Sequence, residues 1–394
     1  MYDFETQIDR VPYNSIKWSY PGLCLPGTAA EDLPLPLWVA DMDFASPPEV
    51  VAAVKDRAGH PIYGYAGKPD AFFEAFASWM RRRHGLAVER QWLHFTPGIV
   101  TGLALAVNAF TAPGDGIIIQ PPVYHPFRHM IERNGRRMVE NPLLYENGRW
   151  TMDLDGLERI AGAAKAIILC SPHNPAGRVW EADEIERLVG ICARRGIFLI
   201  SDEIHSDIVY GGWRHVSALS AAQDLGGRFA AFFAPSKTFN IAGLQTSYAV
   251  IPDAGAGRLF ETEAERLGLG NPNVFGATAA QAAYEKGEPW LAELLACLEG
   301  NAAFLRTQIS LRFPSITMVE PEGTYLAWID FRRLGIEGSV QETLARKAKI
   351  WLDDGAKFGT GGRGWARLNF GCPRANLELA LDRLEEAMPG ILGR

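Results

Sequence analysis

Short, uniformly apolar runs recur through the middle of the chain, separated by stretches in which apolar residues return every three or four positions. Ile117-Ile118-Ile119, Ala166-Ile167-Ile168-Leu169-Cys170, Ile197-Phe198-Leu199-Ile200 and Phe229 to Phe233 are four such runs, and Ser247 to Ile251 is a fifth. A strand with one wet face alternates polar and apolar residues, whereas a strand covered on both faces does not. The runs therefore predict a largely parallel sheet flanked by helices. Helices are predicted from Pro48 to Ala58 and over 70–84, the second with Phe72, Phe73, Phe76 and Met80 on one face. Residues 1–45, rich in proline and aromatics and without a helical period, read as an extended arm. Beyond about residue 285 come a long helix through Leu291–Leu305, a run Tyr325 to Ile329, another helix, and a strand Trp365 to Phe370. The expected organisation is α/β: a large domain over 46–285, and a smaller α+β unit made of 286–394 with the arm 1–45.

A length of 394 residues agrees with about two domains. With 47% hydrophobic and 22% charged residues, the composition is that of a globular chain rather than a disordered one. A formal net charge of −7 argues against a nucleic-acid or anionic-membrane surface. The dense basic run Arg81-Arg82-Arg83-His84, followed by Gly85, reads as the solvated end of a helix. Five cysteines (Cys24, Cys170, Cys192, Cys297 and Cys372), odd in number and widely spaced, fit a reducing compartment better than a disulfide framework. The acidic start Met1-Tyr2-Asp3-Phe4-Glu5 has no apolar signal core, and no apolar stretch is long enough to span a bilayer. The expected location is the cytoplasm.

In open α/β sheets ligands bind beyond the carboxyl ends of the strands. The residues after four of the runs are Gln120-Pro121-Pro122-Val123-Tyr124, Ser171-Pro172-His173-Asn174-Pro175, Ser201-Asp202-Glu203-Ile204-His205 and Ala234-Pro235-Ser236-Lys237. Singly, each has an ordinary reading: Asp202 as a helix N-cap, Lys237 as a surface lysine, Tyr124 as core, Asn174 with Pro175 as a turn. Together they bring an aromatic, an amide, a carboxylate and a lysine to one edge. Pyridoxal 5′-phosphate (PLP) needs that set: a lysine to form an imine with its aldehyde, a carboxylate to keep its pyridine nitrogen protonated, a ring against its face and a donor to its ring oxygen. Thr96-Pro97-Gly98-Ile99-Val100-Thr101 opens an apolar helix, so Gly98, Ile99 and Val100 offer backbone N–H groups for a phosphate; a plain capped helix is the alternative. Gly359-Thr360-Gly361-Gly362-Arg363-Gly364 satisfies G-x-G-x-x-G but precedes a strand, and reads as a flexible loop, not a dinucleotide site. His125 and His129 have Pro126 between them and no third ligand nearby, so no metal site is expected.

Further segments sharpen the picture: Asn14-Ser15-Ile16-Lys17-Trp18, Pro36-Leu37-Trp38-Val39-Ala40-Asp41-Met42-Asp43-Phe44, Tyr63-Gly64-Tyr65, Ser171 through Trp180, Ser201 through Asp207, Pro235 through Leu244, and Arg367-Leu368-Asn369-Phe370. With them the sequence resembles the fold-type-I PLP enzymes of the class I/II aminotransferase superfamily, which have the aspartate aminotransferase fold, and within it the MalY/PatB group of cystathionine β-lyases (C–S lyases). The resemblance implies that Lys237 forms the Schiff base, Asp202 pairs with the pyridine nitrogen, and Asn174 donates to the ring oxygen. It also implies that His205 supports Asp202, Tyr124 stacks on the ring, and Gly98, Ile99, Val100 and Ser236 hold the phosphate. Arg367 would clamp the substrate carboxylate, with Ala40 offering backbone contact. Tyr63 would reach the phosphate of a neighbouring subunit, which implies a homodimer. Ala234 and Gln245 depart from the wider superfamily, where many members carry a serine or threonine and an arginine. Three functions follow: a β-lyase acting on a sulfur amino acid, an aminotransferase on the same scaffold, or a regulatory protein that keeps the fold.

Overall fold

The computed structural model describes residues 2–19 and 33–393; Cys24 and the part of the expected arm around it lie outside them. The central sheet has seven strands: β1 (Leu93–Thr96), β2 (Gly116–Ile119), β3 (Arg137–Glu140), β4 (Ala166–Cys170), β5 (Phe198–Asp202), β6 (Phe229–Phe233) and β7 (Ser247–Val250). Their order is β1-β7-β6-β5-β4-β2-β3. β7 runs antiparallel to both neighbours and the other pairings are parallel. Every residue of β2, β4, β5 and β6 is buried, which is why these strands, up to Ile200 in β5, appear in the sequence as apolar runs.

Two strands carry a weaker signal. β3, Arg137-Met138-Val139-Glu140, lies at the sheet edge with no residue fully buried, so nothing forces it to be apolar. β5 runs two residues past the expected end at Ile200, because Ser201 and Asp202 pair with Ala231 and Phe232 of β6. Asp202 is therefore the last residue of a strand and not the first of a helix.

Helix α1 (Pro48–Gly59) and helix α2 (Asp70–Trp79) match the expected periodicity, with Phe72, Phe73 and Phe76 buried. The expected helix over 70–84 changes to a π-helical turn at Met80–His84 before Gly85 ends it at φ 68°. The basic run there is not simply solvated. Arg83 Nη2 donates to Asp207 O at 3.2 Å, and His84 Nε2 lies 2.9 Å from Asp207 Oδ1. Asp207 is buried, and a buried carboxylate draws the nearest cationic and donor groups to it.

Helix α3 (Ile99–Phe110) follows β1, and helix α4 (Glu288–Arg312) leads to a second, antiparallel sheet. Its strands are β8 (Thr317–Met318), β9 (Leu326–Asp330), β10 (Asp353–Asp354) and β11 (Trp365–Asn369), in the order β8-β9-β11-β10. The N-terminal arm joins this region: Leu35–Pro36 pair in parallel with Ile350–Trp351, and Asn369 N–H donates to Leu37 O at 2.8 Å. The glycine-rich stretch 359–364 is a packed turn, contrary to the expected loose loop. A Cβ on Gly362 would lie 2.0 Å from Gly355 O, and one on Gly361 would meet Trp150 and Pro122. Its glycines serve close backbone approach. Among the described residues no helix is long and apolar enough to cross a membrane.

Candidate active site

A cavity of about 240 Å³ opens where β4, β5 and β6 end and α3 begins. Tyr124 enters it from the segment after β2, Asn174 from the segment after β4, and Asp202 and His205 from the end of β5. Ser236 and Lys237 reach it from the turn after β6, Gly98, Ile99 and Val100 from the start of α3, and Ala40 from the arm. Arg367, on β11, stands behind Asn174 and donates from Nη1 to Asn174 Oδ1 at 3.0 Å. Tyr63 is not in this group. It is 58% exposed. Its hydroxyl donates to Ala58 O at 2.7 Å and its ring lies 5.6 Å from that of Phe275.

Burial shapes the chemistry of the group. It draws the Lys237 amine down to about 8, against the raising pull of Asp41. Lys237 Nζ donates to Ala40 O at 2.6 Å, and the same carbonyl accepts the Tyr325 hydroxyl at 2.8 Å. Burial pushes the Asp202 carboxyl up to about 7 and outweighs the lowering effect of the Ile204 N–H, which its side chain accepts at 3.2 Å. Burial likewise brings His205 down to about 3, leaving a neutral imidazole whose Nδ1 has no partner among the described residues. The Tyr124 hydroxyl is held protonated, raised to about 12 by burial and by the Asp202 charge. Arg367 can only donate, so it fixes Asn174 with Oδ1 outward and the amide N–H groups left for the cavity. Arg367 Nη2 donates to Trp38 O at 2.8 Å and to Asp353 Oδ2 at 2.9 Å, while its buried Nε–H has no partner among the described residues.

These features fit pyridoxal phosphate. Asp202 is a buried carboxylate short of a cationic partner, which a protonated pyridine nitrogen supplies. The N–H groups at the start of α3 lack intrahelical acceptors and face the cavity beside Gly98, whose φ of 88° and close Gln245 side chain leave no room for a Cβ. Lys237 has a lowered basicity suited to an amine that must react as a nucleophile.

Several groups at this site left no trace in the sequence. Tyr325 reads there only as the start of a strand, yet it reaches Ala40, 285 residues away. Asp353 has no motif around it. Thr246 completes the cavity wall without any local signal; Cys170, Ile204 and Ala242 lie in segments that stand out in the sequence but with no role attached, and Gln245 stands out there only as a departure.

Comparison with known proteins agrees with this geometry. The sequence profile of the class I and II aminotransferases matches residues 35–384. Cystathionine beta-lyase PatB of Bacillus subtilis (strain 168) is 41% identical over 389 residues, covering 98% of this chain and 100% of PatB. Protein MalY of Escherichia coli (strain K12) is 34% identical over 396 residues, 99% of this chain and 100% of its own. The crystal structure of cystalysin from Treponema denticola, which contains pyridoxal 5′-phosphate, superimposes with a TM-score of 0.94 at 34% identity, covering 99% of each chain. With a matching profile over most of its length and relatives aligned end to end, this chain belongs to the class I and II aminotransferase family.

Proposed function

We propose that this chain is a PLP-dependent carbon–sulfur β-lyase that converts cystathionine or a related β-thio amino acid to a thiol, pyruvate and ammonia. The observation that carries the reading is the convergence of Lys237, Asp202 and Asn174 on one cavity, with Arg367 hydrogen-bonded to Asn174 behind it, in a chain aligned end to end with a relative named for that activity.

Pyridoxal phosphate, when bound, supplies an electron sink that lets a proton leave the substrate's α-carbon and a thiolate leave its β-carbon. Lys237 would hold the cofactor and, once its amine is released, move the α-proton. Ala40 O, already 2.6 Å from Nζ, is placed to keep that amine oriented. Asp202 would hold positive charge at the ring nitrogen, with His205 neutral beside it. Asn174 would donate to the ring oxygen and Tyr124 would cover the ring face. Gly98, Ile99, Val100 and Ser236 would hold the phosphate. Arg367, whose Nε–H has no partner among the described residues, would meet the substrate carboxylate.

The test is product analysis with cystathionine. Homocysteine, pyruvate and ammonia should appear with no keto-acid acceptor present. Stoichiometric amino transfer to an added keto acid, without thiol release from any β-thio amino acid, would move the assignment to an aminotransferase.

The same reading includes a cytoplasmic homodimer with a large domain over 46–285, a smaller one from 286–394 with the arm 1–45, and Tyr63 acting in the partner's site. The support for the dimer is the exposure of Tyr63 together with Ile62, Tyr65, Tyr13 and Ile16, an unusual set of large apolar side chains to leave in water.

A further inference from the structure

Arg367 is engaged before any substrate arrives. β10 and β11 place Asp353 directly opposite Arg367 in an antiparallel pair, so both side chains leave the sheet on one face. Each side chain is 3% exposed, and Nη2 lies 2.9 Å from Asp353 Oδ2. Trp38 O takes a second Nη2 hydrogen at 2.8 Å, and the Phe358 ring lies 5.0 Å from the guanidinium carbon. The other carboxylate oxygen, Oδ1, accepts Lys357 Nζ at 3.1 Å, and Lys357 also donates to Gln341 Oε1 at 2.9 Å. His125 Nε2 is 3.9 Å from Oδ2. A carboxylate that reaches this guanidinium thus meets a charge already partly neutralised, with part of the fork in use. Its Coulomb gain is smaller than at an uncompensated arginine.

We propose that Asp353 is a resident counter-ion that limits how tightly Arg367 holds a carboxylate, so that the site lets go of the carboxylate product of the elimination rather than retaining it. The consequence for product release rests on the lyase reading; the carboxylate affinity does not. A lyase needs its carboxylate product, the aminoacrylate that hydrolyses to pyruvate and ammonia, to leave, whereas an aminotransferase must bind a keto acid as its second substrate. The alternative is that Asp353 merely pins the guanidinium plane, and the two ideas differ in sign. Losing a pin weakens carboxylate binding, whereas losing a counter-ion strengthens it.

The experiment titrates acetate, then pyruvate, into the PLP-loaded protein, following heat and the cofactor's absorbance. In Asp353→Asn the dissociation constant for both should fall by about tenfold. In Lys357→Gln it should rise by about threefold, because Asp353, freed of its second cation, bears more fully on Arg367. Lys357 is partly exposed, so this variant keeps the test open should Asp353→Asn fail to fold. Unchanged or weaker acetate binding in Asp353→Asn, or unchanged or tighter binding in Lys357→Gln, overturns the proposal. Acetate binding is read without turnover, so a wild-type protein that releases no thiol from cystathionine would sink the lyase reading while leaving the counter-ion result standing.

Discussion

Lys237 and Asp202 are displaced in opposite directions by the same cause, removal from water, which penalises both charged forms. The reactive form of Lys237 is the neutral amine, and the useful form of Asp202 is the carboxylate. Both fractions grow as pH rises, Asp202 through about 7 and Lys237 through about 8. Cofactor capture by the cofactor-free protein should therefore accelerate across that interval, followed as the appearance of imine absorbance. Capture that is fastest in acid would contradict these assignments. Arg367 is a different case, since its charge is permanent and its geometry matters most. Arg367→Ala should cost substrate binding about 2–4 kcal/mol, read as a raised KM, with the bound-cofactor spectrum retained. An unchanged KM would remove Arg367 from the substrate site.

The segment Trp38–Asp43 brings Ala40 to Lys237, and a buried charge cluster at its end adds to the hydrogen bonds from Asn369, Asn240 and Tyr325 that hold it. Lys17, fully buried, lies 2.6 Å from Asp43 Oδ2. Arg10 Nη1 lies 2.6 Å from Asp43 Oδ1, which also accepts Trp18 Nε1–H at 2.9 Å. Burial alone would push the Asp43 carboxyl up, but Lys17 and Arg10 outweigh it and hold it below the usual carboxylate range. A lowered native value means that the stabilisation is present above the ordinary carboxylate pKa and is lost only as pH falls through the lowered one. The latch thus stays closed at neutral pH. Asp43→Ala would leave Lys17 buried without a counter-ion, at a cost of about 3–5 kcal/mol. The expected signs are a lower denaturant midpoint and faster cofactor loss, because Ala40 is released with the arm. A midpoint equal to wild type would show that the cluster is not what fixes the arm.

At the scale of the whole molecule, Tyr63 is a predicted site residue that lies apart from the cavity of its own chain, whereas Arg367, also outside the lining, is hydrogen-bonded to Asn174 in it. If it serves the neighbouring subunit, two inactive variants should repair each other. Mixing Lys237→Ala with Tyr63→Ala under exchange should restore roughly a quarter of the wild-type sites, since half the dimers are mixed and each holds one complete site. No recovery, with exchange verified, would place Tyr63 elsewhere. The sequence by itself determined the sheet and the edge at which the chemistry gathers. Strands covered on both faces must be apolar throughout, and their boundaries at β2, β4 and β6 are visible in the residues alone. The polar residues that follow them had to lie at the carboxyl edge. Only the tertiary structure decided that the arm pairs with the region around Ile350, that Tyr325 and Lys237 share the carbonyl of Ala40, and that Arg367 comes with Asp353 already attached. Hydrophobic periodicity records which face of an element is buried. It carries no record of which distant residue completes a hydrogen bond, because that depends on how separate elements pack and on the register of strands far apart in the chain.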